Sequence, residues 1–249
     1  MDFPGRRPIW PPSSAARSSD APQKRRHYGR RKGPSLSAHQ ARLLDTLLPE
    51  LSLVPERGRD ARSYFQGRVG DVWLEIGFGG GEHLIWQAQA HRDICMIGAE
   101  PYVSGVAKLL SKIAPTLGSL PSLSNIRLYM EDARDIIEAL PDASLSRVFI
   151  LFPDPWPKMR HHKRRFVQSG MLDELARVMQ PGAEIRFATD DKGYLVWALE
   201  RFSAHRSFEW LAEAAADWRR RPDDWPQTRY EAKAVKQGRA CSYLRFVRA

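Results

Sequence analysis

Residues 72–81 read VWLEIGFGGG, a short apolar run that ends in a cluster of glycines. An apolar run of this length, bounded by glycines, predicts a buried strand over Val72–Ile76. The next segment, Glu82–Ala90, is predicted to be helical, so the glycines form the turn between a strand and a helix. In open α/β sheets such turns lie at the carboxyl ends of the strands, where the backbone can approach a ligand closely.

Strands and helices continue to alternate after this stretch. The further predicted strands are Ile94–Ala99, Ile126–Met130, Val148–Phe152 and Ile185–Ala188, with candidates at Phe208–Leu211 and Ser242–Val247. Helices are predicted after the second strand up to about Ile113, and over Ala133–Leu140, Phe166–Met179 and Lys192–Phe202. Pro181-Gly182 is a stop signal for the helix Phe166–Met179. This order predicts an α/β fold with an open, mostly parallel sheet and helices on both faces.

The N-terminal part differs in composition. Residues 1–35 are rich in Pro, Ser, Gly and Arg, and their nine Lys or Arg against two Asp supply +7 of the net charge of +10. We expect a disordered basic arm, because such a segment buries too little apolar surface to offset its ordering entropy. A tail without function and a mitochondrial transit peptide are the alternatives. Leucines at helical spacing predict a helix at about residues 36–50, and residues 36–249 are expected to form one domain.

Composition also bears on the class of protein. No apolar run approaches the ~20 residues of a membrane span, and the first 35 residues lack the apolar core of a signal peptide. We therefore expect a cytoplasmic protein with no membrane partner. Cys95 and Cys241 are interpreted as buried apolar side chains, since two cysteines make no disulfide framework. The basic balance favours a polyanionic partner such as nucleic acid.

Acidic residues stand where the predicted strands end. Glu75 precedes the glycines, Glu100 ends the second strand, and Asp132 follows the third. A carboxylate at Glu75 suits a cationic ligand, one at Glu100 can accept both hydroxyls of a ribose, and Asp132 can accept from an adenine amino group. Each acid alone could instead be a helix N-cap or a solvated turn residue. Together they indicate an adenosine that bears a positive group and no phosphate, which fits S-adenosylmethionine.

A proline-rich block, FPDPWPK at residues 152–158, follows the fourth predicted strand. Its prolines stiffen the loop, so Asp154 and Lys158 are held at the carboxyl edge of the sheet. The basic run Arg160–Arg165 comes next; such a run is usually a solvated face, but this one adjoins the predicted site. Its adjacent histidines are poor metal ligands, so no metal is expected. Near the C-terminus, cations alternate with aromatic residues, a mixture suited to RNA.

Taken together, the residues Glu75–Gly79, the block at 152–165, Ala188–Asp190 and Thr228–Glu231 resemble those of bacterial tRNA (guanine-N7)-methyltransferases. The resemblance covers about residues 70–247, and the proline-rich block is its most specific element. It implies a Rossmann-like class I methyltransferase fold with a seven-stranded sheet whose last strand is antiparallel. It further implies that a methyl group passes from S-adenosylmethionine to N7 of a variable-loop guanosine, position 46, in tRNA.

The same resemblance implies roles for individual residues. The cofactor would be bound by Glu75, Gly77, Gly79, Glu100, Asp132 and Asp154, of which Asp154 would also be catalytic. The substrate would be bound by Lys158, Asp190, Thr228, Arg229, Tyr230 and Glu231, and RNA would be met by Arg160, His161, His162, Lys163, Arg164 and Arg165. Guanine N7 carries a free lone pair, so no activated base is needed. Asp154 can stabilise the positive charge or orient the donor edge of guanine, and both roles stay open.

Three other functions are compatible with parts of the pattern. The chain could methylate another RNA site or a small molecule. It could be a nicotinamide-dependent oxidoreductase, although Glu75 is placed poorly beside a pyrophosphate. It could also be an RNA-binding protein without catalysis, although the acids at every strand end argue against that. No oligomeric state is favoured by the pattern.

Removal of residues 1–35 is expected to lower tRNA affinity and to flatten its dependence on salt. The reason is the charge of +7 on the arm, since each phosphate contact releases counterions. Binding isotherms at several salt concentrations, with turnover measured at saturating tRNA, check this. An unchanged salt slope in the truncated protein would show that the arm is a passive tail.

Overall fold

A central sheet organises the computed structural model, which describes residues 29, 31, 33–67, 70–114 and 124–249. Within these ranges the strands are β1 Val72–Ile76, β2 Cys95–Ala99, β3 Ile126–Tyr129, β4 Leu145–Leu151, β5 Met179–Thr189, β6 Phe208–Trp210 and β7 Ser242–Arg248. Their order is β3-β2-β1-β4-β5-β7-β6. Strands β1 to β5 are parallel, and β7 is antiparallel to both of its neighbours. This confirms the predicted α/β fold with an antiparallel last strand.

Helices cover the two faces of the sheet. In the described ranges they are α1 Ala38–Thr46, α2 Leu48–Leu51, α3 Glu82–Ala90, α4 Val103–Ile113, α5 Ala133–Ala139, α6 Ser169–Val178, α7 Lys192–Ala204, α8 Ala216–Arg219 and α9 Arg229–Lys236. Residues of α5, α6 and α7 pack on the face that carries Leu74 and Ile150. Residues of α1, α3 and α4 pack on the opposite face, which carries Trp73 and Phe149. The apolar core therefore has two layers, one on each side of the sheet.

The chain order places a ligand cleft at a defined point. The strand order runs in one direction from β1 through β2 to β3 and in the other from β1 through β4 to β5. The helices that follow β1 and β4 thus lie on opposite faces, and a crevice opens between them at the carboxyl ends of the strands. The first strand and its helix have the predicted bounds, Val72–Ile76 and Glu82–Ala90.

The predicted helix over Phe166–Met179 is shorter in the structure. It begins only at Ser169, because Gln168 before it has an extended backbone, with φ −128° and ψ 153°. It ends at Val178, and β5 begins at the next residue and continues through Pro181-Gly182. The β4–β5 register shifts between Leu145 and Arg147, which accommodates this pair, and Gly182 takes a φ of 81°. Pro181-Gly182 therefore lies within β5 and does not mark the end of α6.

Four short helical segments of the described residues were not predicted, namely α8, α9 and the 3-10 helices Ala61–Tyr64 and Met159–Arg164, and one predicted helix is divided. The predicted N-terminal helix is two helices, and Pro49 stands at the start of the second, where its missing N–H interrupts the ladder. A 3-10 helix occupies Met159–Arg164, and α9 occupies Arg229–Lys236. Most of the predicted arm, residues 1–28, 30 and 32, lies outside the described residues, so its disorder and the single domain after it stay predictions.

In the part of the chain that the structure describes, no helix is long and apolar enough to cross a membrane. The same residues contain no group of three or more His, Cys, Asp or Glu side chains arranged to hold a metal ion.

Candidate active site

A cleft of about 910 Å³ lies at the carboxyl ends of the first four strands. That volume suits a small-molecule ligand and part of a second one. Its walls come from the ends of β1 to β4, from the loop after β4 and from the start of α9; the residues that carry chemistry there are Gly77, Glu100, Tyr102, Lys108, Asp132, Arg134, Asp154, Trp156, Lys163, Arg164, Arg229 and Tyr230. The predicted acids Glu100, Asp132 and Asp154 thus share one cavity.

Glu100 joins two walls of the cleft. Its Oε2 accepts a hydrogen bond of 2.7 Å from the backbone N–H of Gly79, and its Oε1 accepts one of 2.9 Å from that of Tyr102. The side chain is buried, and burial raises the pKa of its carboxyl. The two N–H groups oppose this rise, and the negative charge of Asp154 adds to it. One lone pair of each oxygen is used by the backbone, so the carboxylate is fixed in orientation while further acceptor capacity remains.

The glycine turn is enclosed on two sides and open on a third. Gly77 has a φ of 74°, and a Cβ there would meet no atom within 4 Å, so its open side faces the cleft. Gly79 has a φ of 57°, and a Cβ there would lie 2.9 Å from Cε2 of Tyr230. A Cβ on Gly105 of α4 would lie 2.4 Å from the carbonyl oxygen of Gly79. Side chains are therefore excluded where α4 and Tyr230 press on the turn.

Glu75 lies behind the cleft and does not line it. Nδ1 of His83 is 2.8 Å from Oε2 of Glu75, and both side chains are buried. The amide nitrogen of Gln87 faces Nε2 of His83 at 3.1 Å and the carbonyl oxygen of Asp224 at 3.1 Å. Because the amide donates to Nε2, the histidine carries its proton on Nδ1 and donates it to Glu75. A buried chain of hydrogen bonds thus connects the residue before the glycines to the segment before α9.

His83 and Gln87 were not singled out in the sequence. Their spacing of four residues on a helix is a signal that both side chains share a face of α3. Nothing local shows that this face meets Glu75, because that contact depends on how α3 packs on the sheet.

Asp132 caps the N-terminus of α5 and also lines the cleft. It is the N-cap of α5, where its carboxylate accepts from the backbone N–H of Arg134 at 3.0 Å. It also forms an ion pair of 2.9 Å with the guanidinium of Arg134. The N-cap interpretation and the ligand-binding interpretation are therefore compatible in one residue.

The loop that carries Asp154 is held in an uncommon backbone shape. Phe152 has a φ of 51° and Trp156 a φ of 43°, values that bulky residues rarely adopt. Nε of Arg165 donates to the carbonyl oxygen of Pro155 at 2.8 Å and ties the loop to the protein. Backbone strain of this kind persists only where surrounding contacts impose it. The loop is therefore a rigid support for Asp154 at the mouth of the cleft.

The side chains of the predicted RNA-contacting residues, Arg160 to Arg165, point in different directions. Lys163 and Arg164 line the cleft, and Arg160 is exposed. His161 and His162 are half-buried; His162 packs edge-on against Trp197 at 5.1 Å between ring centroids. Arg165 is 2% exposed, and its guanidinium carbon lies 5.1 Å from the ring centroid of Tyr194 and 4.9 Å from that of Trp197. Its side chain therefore supports the loop from inside the protein.

Of the predicted substrate residues near α9, two line the cleft and two hold the start of the helix. Arg229 and Tyr230 line the cleft, with Nη2 of Arg229 donating to the hydroxyl of Tyr230 at 2.9 Å. Thr228 is the N-cap of α9, and its hydroxyl accepts from the N–H of Glu231 at 3.1 Å. Glu231 is buried and accepts from the hydroxyl of Tyr243 at 2.8 Å.

Lys158 and Asp190 lie outside the cleft lining. Lys158 is exposed at the start of the 3-10 helix, and Asp190 forms an ion pair of 2.8 Å with Arg239. Tyr102, Lys108 and Arg134 line the cleft but were not predicted as site residues.

The raised pKa of Glu100 predicts a pH dependence of stability. Its folded-state pKa lies above the ordinary 4.5, so between these two values the folded protein holds a proton that the unfolded chain has lost. Stability from this group is therefore lost as pH rises from 4.5 through the folded pKa. The free energy of unfolding of the wild type, minus that of Glu100→Gln, should fall from pH 4.5 to neutral pH in denaturant titrations. A constant or rising difference would contradict this sign.

Comparison with known proteins identifies the family. A family model described as "Putative methyltransferase" matches residues 70–244. A tRNA (guanine-N(7)-)-methyltransferase of Rhodospirillum rubrum is 51% identical over 228 residues, which cover 90% of this chain and 88% of the relative. One from Ruegeria sp. is 49% identical over 245 residues, which cover 95% and 93%. One from Brucella melitensis is 46% identical over 223 residues, which cover 89% and 94%.

Solved structures agree on the fold. The 16S rRNA methyltransferase KamB matches with a TM-score of 0.52 at 16% identity, over 78% of this chain and 96% of that one. At this identity the match concerns the fold alone. The family model spans most of the sequence and the relatives are about half identical over nine tenths of it. The chain therefore belongs to the tRNA (guanine-N(7)-)-methyltransferase family.

Proposed function

We propose that the protein transfers a methyl group from S-adenosylmethionine to N7 of a variable-loop guanosine in tRNA, in the cytoplasm. The relatives named above carry this activity in their names. The observation that carries the proposal is structural: acids from three successive strand ends, Glu100, Asp132 and Asp154, line one cleft beside the glycine turn. A site of this composition suits a cationic nucleoside.

The occupied N–H of Gly79 favours this cofactor over a dinucleotide. In dinucleotide sites the backbone N–H groups of the glycine turn face a pyrophosphate. Here the N–H of Gly79 donates to the carboxylate of Glu100, which places negative charge where a pyrophosphate would need donors. The nicotinamide alternative is therefore disfavoured, and the residues present fit S-adenosylmethionine.

Each wall of the cleft has a separate task in binding. The carboxylate of Glu100 has acceptor capacity left for ribose hydroxyls, and Asp132 has capacity left for an amino group. Gly77 leaves room at the turn where a side chain would otherwise stand. When bound, S-adenosylmethionine supplies a methyl group that is activated by attachment to a positively charged sulfur.

The chemistry asks the protein for alignment and charge compensation. Guanine N7 attacks through a free lone pair, so no side chain has to remove a proton first. The methylated base is positively charged, and Asp154 is close enough to Glu100 to raise the pKa of that residue. Two acidic groups thus favour positive charge in this part of the cleft. The rigid loop that carries Asp154 fixes the backbone from which its carboxylate extends.

The same cleft also carries residues that suit RNA. Lys163, Arg164 and Arg229 provide cations there, and Trp156 and Tyr230 provide aromatic surface on which a base can stack. Lys158 and Arg160 extend the positive charge onto the exposed surface beside it. We infer that Thr228 and Glu231 act through their neighbours, because they fix the start of α9 from which Arg229 and Tyr230 reach the cleft.

Asp154→Ala is expected to lower methyl transfer by about 10²–10³, or roughly 3–4 kcal/mol of barrier, by removing charge stabilisation from the site. The protein should stay folded, because backbone shape and Arg165 hold the loop. The measurement is mass analysis of tRNA nucleosides after incubation with labelled S-adenosylmethionine, in which the wild type should produce 7-methylguanosine. Asp142→Ala, at an acid whose side chain is 80% exposed, is the control and should transfer methyl groups at the wild-type rate.

Asp154→Asn separates the two roles that the sequence left open. An amide can still accept a hydrogen bond from guanine, but it cannot offset positive charge. Partial activity in the Asn variant with almost none in the Ala variant indicates orientation, and equal loss in both indicates charge stabilisation. Near-normal turnover in both variants would remove Asp154 from catalysis, and absence of 7-methylguanosine with the wild type would refute the proposed function.

A further inference from the structure

Three arginines stand side by side on the face of the sheet that carries α3. Arg147 of β4 is in register with Glu184 of β5, and Arg186 of β5 is in register with Arg245 of β7. All three guanidinium groups approach Glu184, with N···O distances of 3.4 Å for Arg147, 3.2 Å for Arg186 and 2.5 Å for Arg245. Because these side chains converge on one carboxylate, they form a compact group that we call the arginine cluster.

The charges of the arginine cluster do not balance. Asp224 supplies a second carboxylate, 2.7 Å from Nη2 of Arg186. Three guanidinium groups thus face two carboxylates among the described residues of the cluster. Burial lowers the pKa of the Arg147 guanidinium, and the charge of Arg186 lowers it further. An anion would relieve this repulsion.

Hydrogen bonding shows the same imbalance. Within the described ranges, four buried donor atoms of this region have no hydrogen-bond partner: Nε of Arg147, Nε and Nη1 of Arg186, and Nε1 of Trp225. Arg186 is 3% exposed and Trp225 is 2% exposed, and the guanidinium carbon of Arg186 lies 5.4 Å from the centroid of the Trp225 ring. Buried donors without acceptors are rare, and each one costs free energy. All four atoms can only donate, so the missing partner is an acceptor.

We propose that the arginine cluster, together with Trp225, binds a phosphate group whose oxygens accept hydrogen bonds from these donors. Several oxygens and a negative charge in one small group match both the unpaired donors and the unbalanced charge. The side chains of Arg147 and Arg245 are 23% and 43% exposed, so a phosphate can approach the cluster from their side, and the buried donors must turn towards it on binding. None of its residues lines the cleft, so it is separate from the candidate active site. Resting on the proposed function, we assign the phosphate to the backbone of bound tRNA.

The first test uses inorganic phosphate and the full chain without RNA. The indole N–H of Trp225 is followed by ¹⁵N–¹H NMR and assigned by its loss in Trp225→Phe. A saturable shift of this signal is expected in the wild type, and its loss is expected in Arg147→Met. Methionine keeps apolar contact with the ring of Trp73, over which the Arg147 guanidinium lies at 4.3 Å, so this variant should fold. Arg206→Met, which removes one exposed charge elsewhere, should respond as the wild type does.

Absence of a saturable shift in the wild type, or an equal shift in Arg147→Met, would overturn the site. The donors would then be satisfied by water. This measurement involves neither tRNA nor methyl transfer, so it stands or fails independently of the proposed function.

The second test identifies the source of the phosphate. Arg147→Met should weaken tRNA binding and reduce the slope of log affinity against log salt by about 0.7–0.9, the range for one lost phosphate contact on single or double strands, while Arg206→Met should leave the slope unchanged. Turnover at saturating tRNA should be the same in both variants. An unchanged slope in Arg147→Met, with its inorganic phosphate response lost, would overturn the assignment to RNA and indicate a site for the free anion.

Discussion

The pair of hydrogen bonds accepted by Glu100 is the constraint on which the candidate active site depends. One buried carboxylate receives the N–H of Gly79 at 2.7 Å and that of Tyr102 at 2.9 Å. It thereby connects the turn after β1 to the segment after β2. Burial of a carboxylate is unfavourable, as the raised pKa shows, and the two charge-assisted bonds offset part of that cost. Tyr230 and α4 then pack against a turn whose position is already set.

Much of this arrangement could be predicted from local pattern. The bounds of β1 and α3 follow from an apolar run, a glycine turn and a helical segment, because each depends on neighbouring residues only. The meeting of Glu100, Asp132 and Asp154 in one cleft follows from topology, since the carboxyl ends of parallel strands share an edge of the sheet. The direction of the last strand was taken from the family resemblance, and the structure confirms it.

What escaped prediction depends on the direction in which a side chain points. Arg165 belongs to a basic run, yet it is buried against two rings of α7. Glu231 is an acid on a charged helix, yet it is buried against Tyr243 of a distant strand. His83 and the arginine cluster likewise owe their partners to contacts between elements far apart in the chain. Residue type alone carries none of this information.

Calorimetry with S-adenosylmethionine tests most directly whether Glu100 is a ligand of the cofactor. Glu100→Ala should raise the dissociation constant by roughly tenfold or more, on the order of 1.5–3 kcal/mol, while tRNA binding stays nearly intact. Glu213→Ala, at an exposed acid, should bind the cofactor as the wild type does. Unchanged cofactor affinity in the Glu100 variant would contradict a role of Glu100 in cofactor binding, because the carboxylate would then serve only to connect the two strand ends.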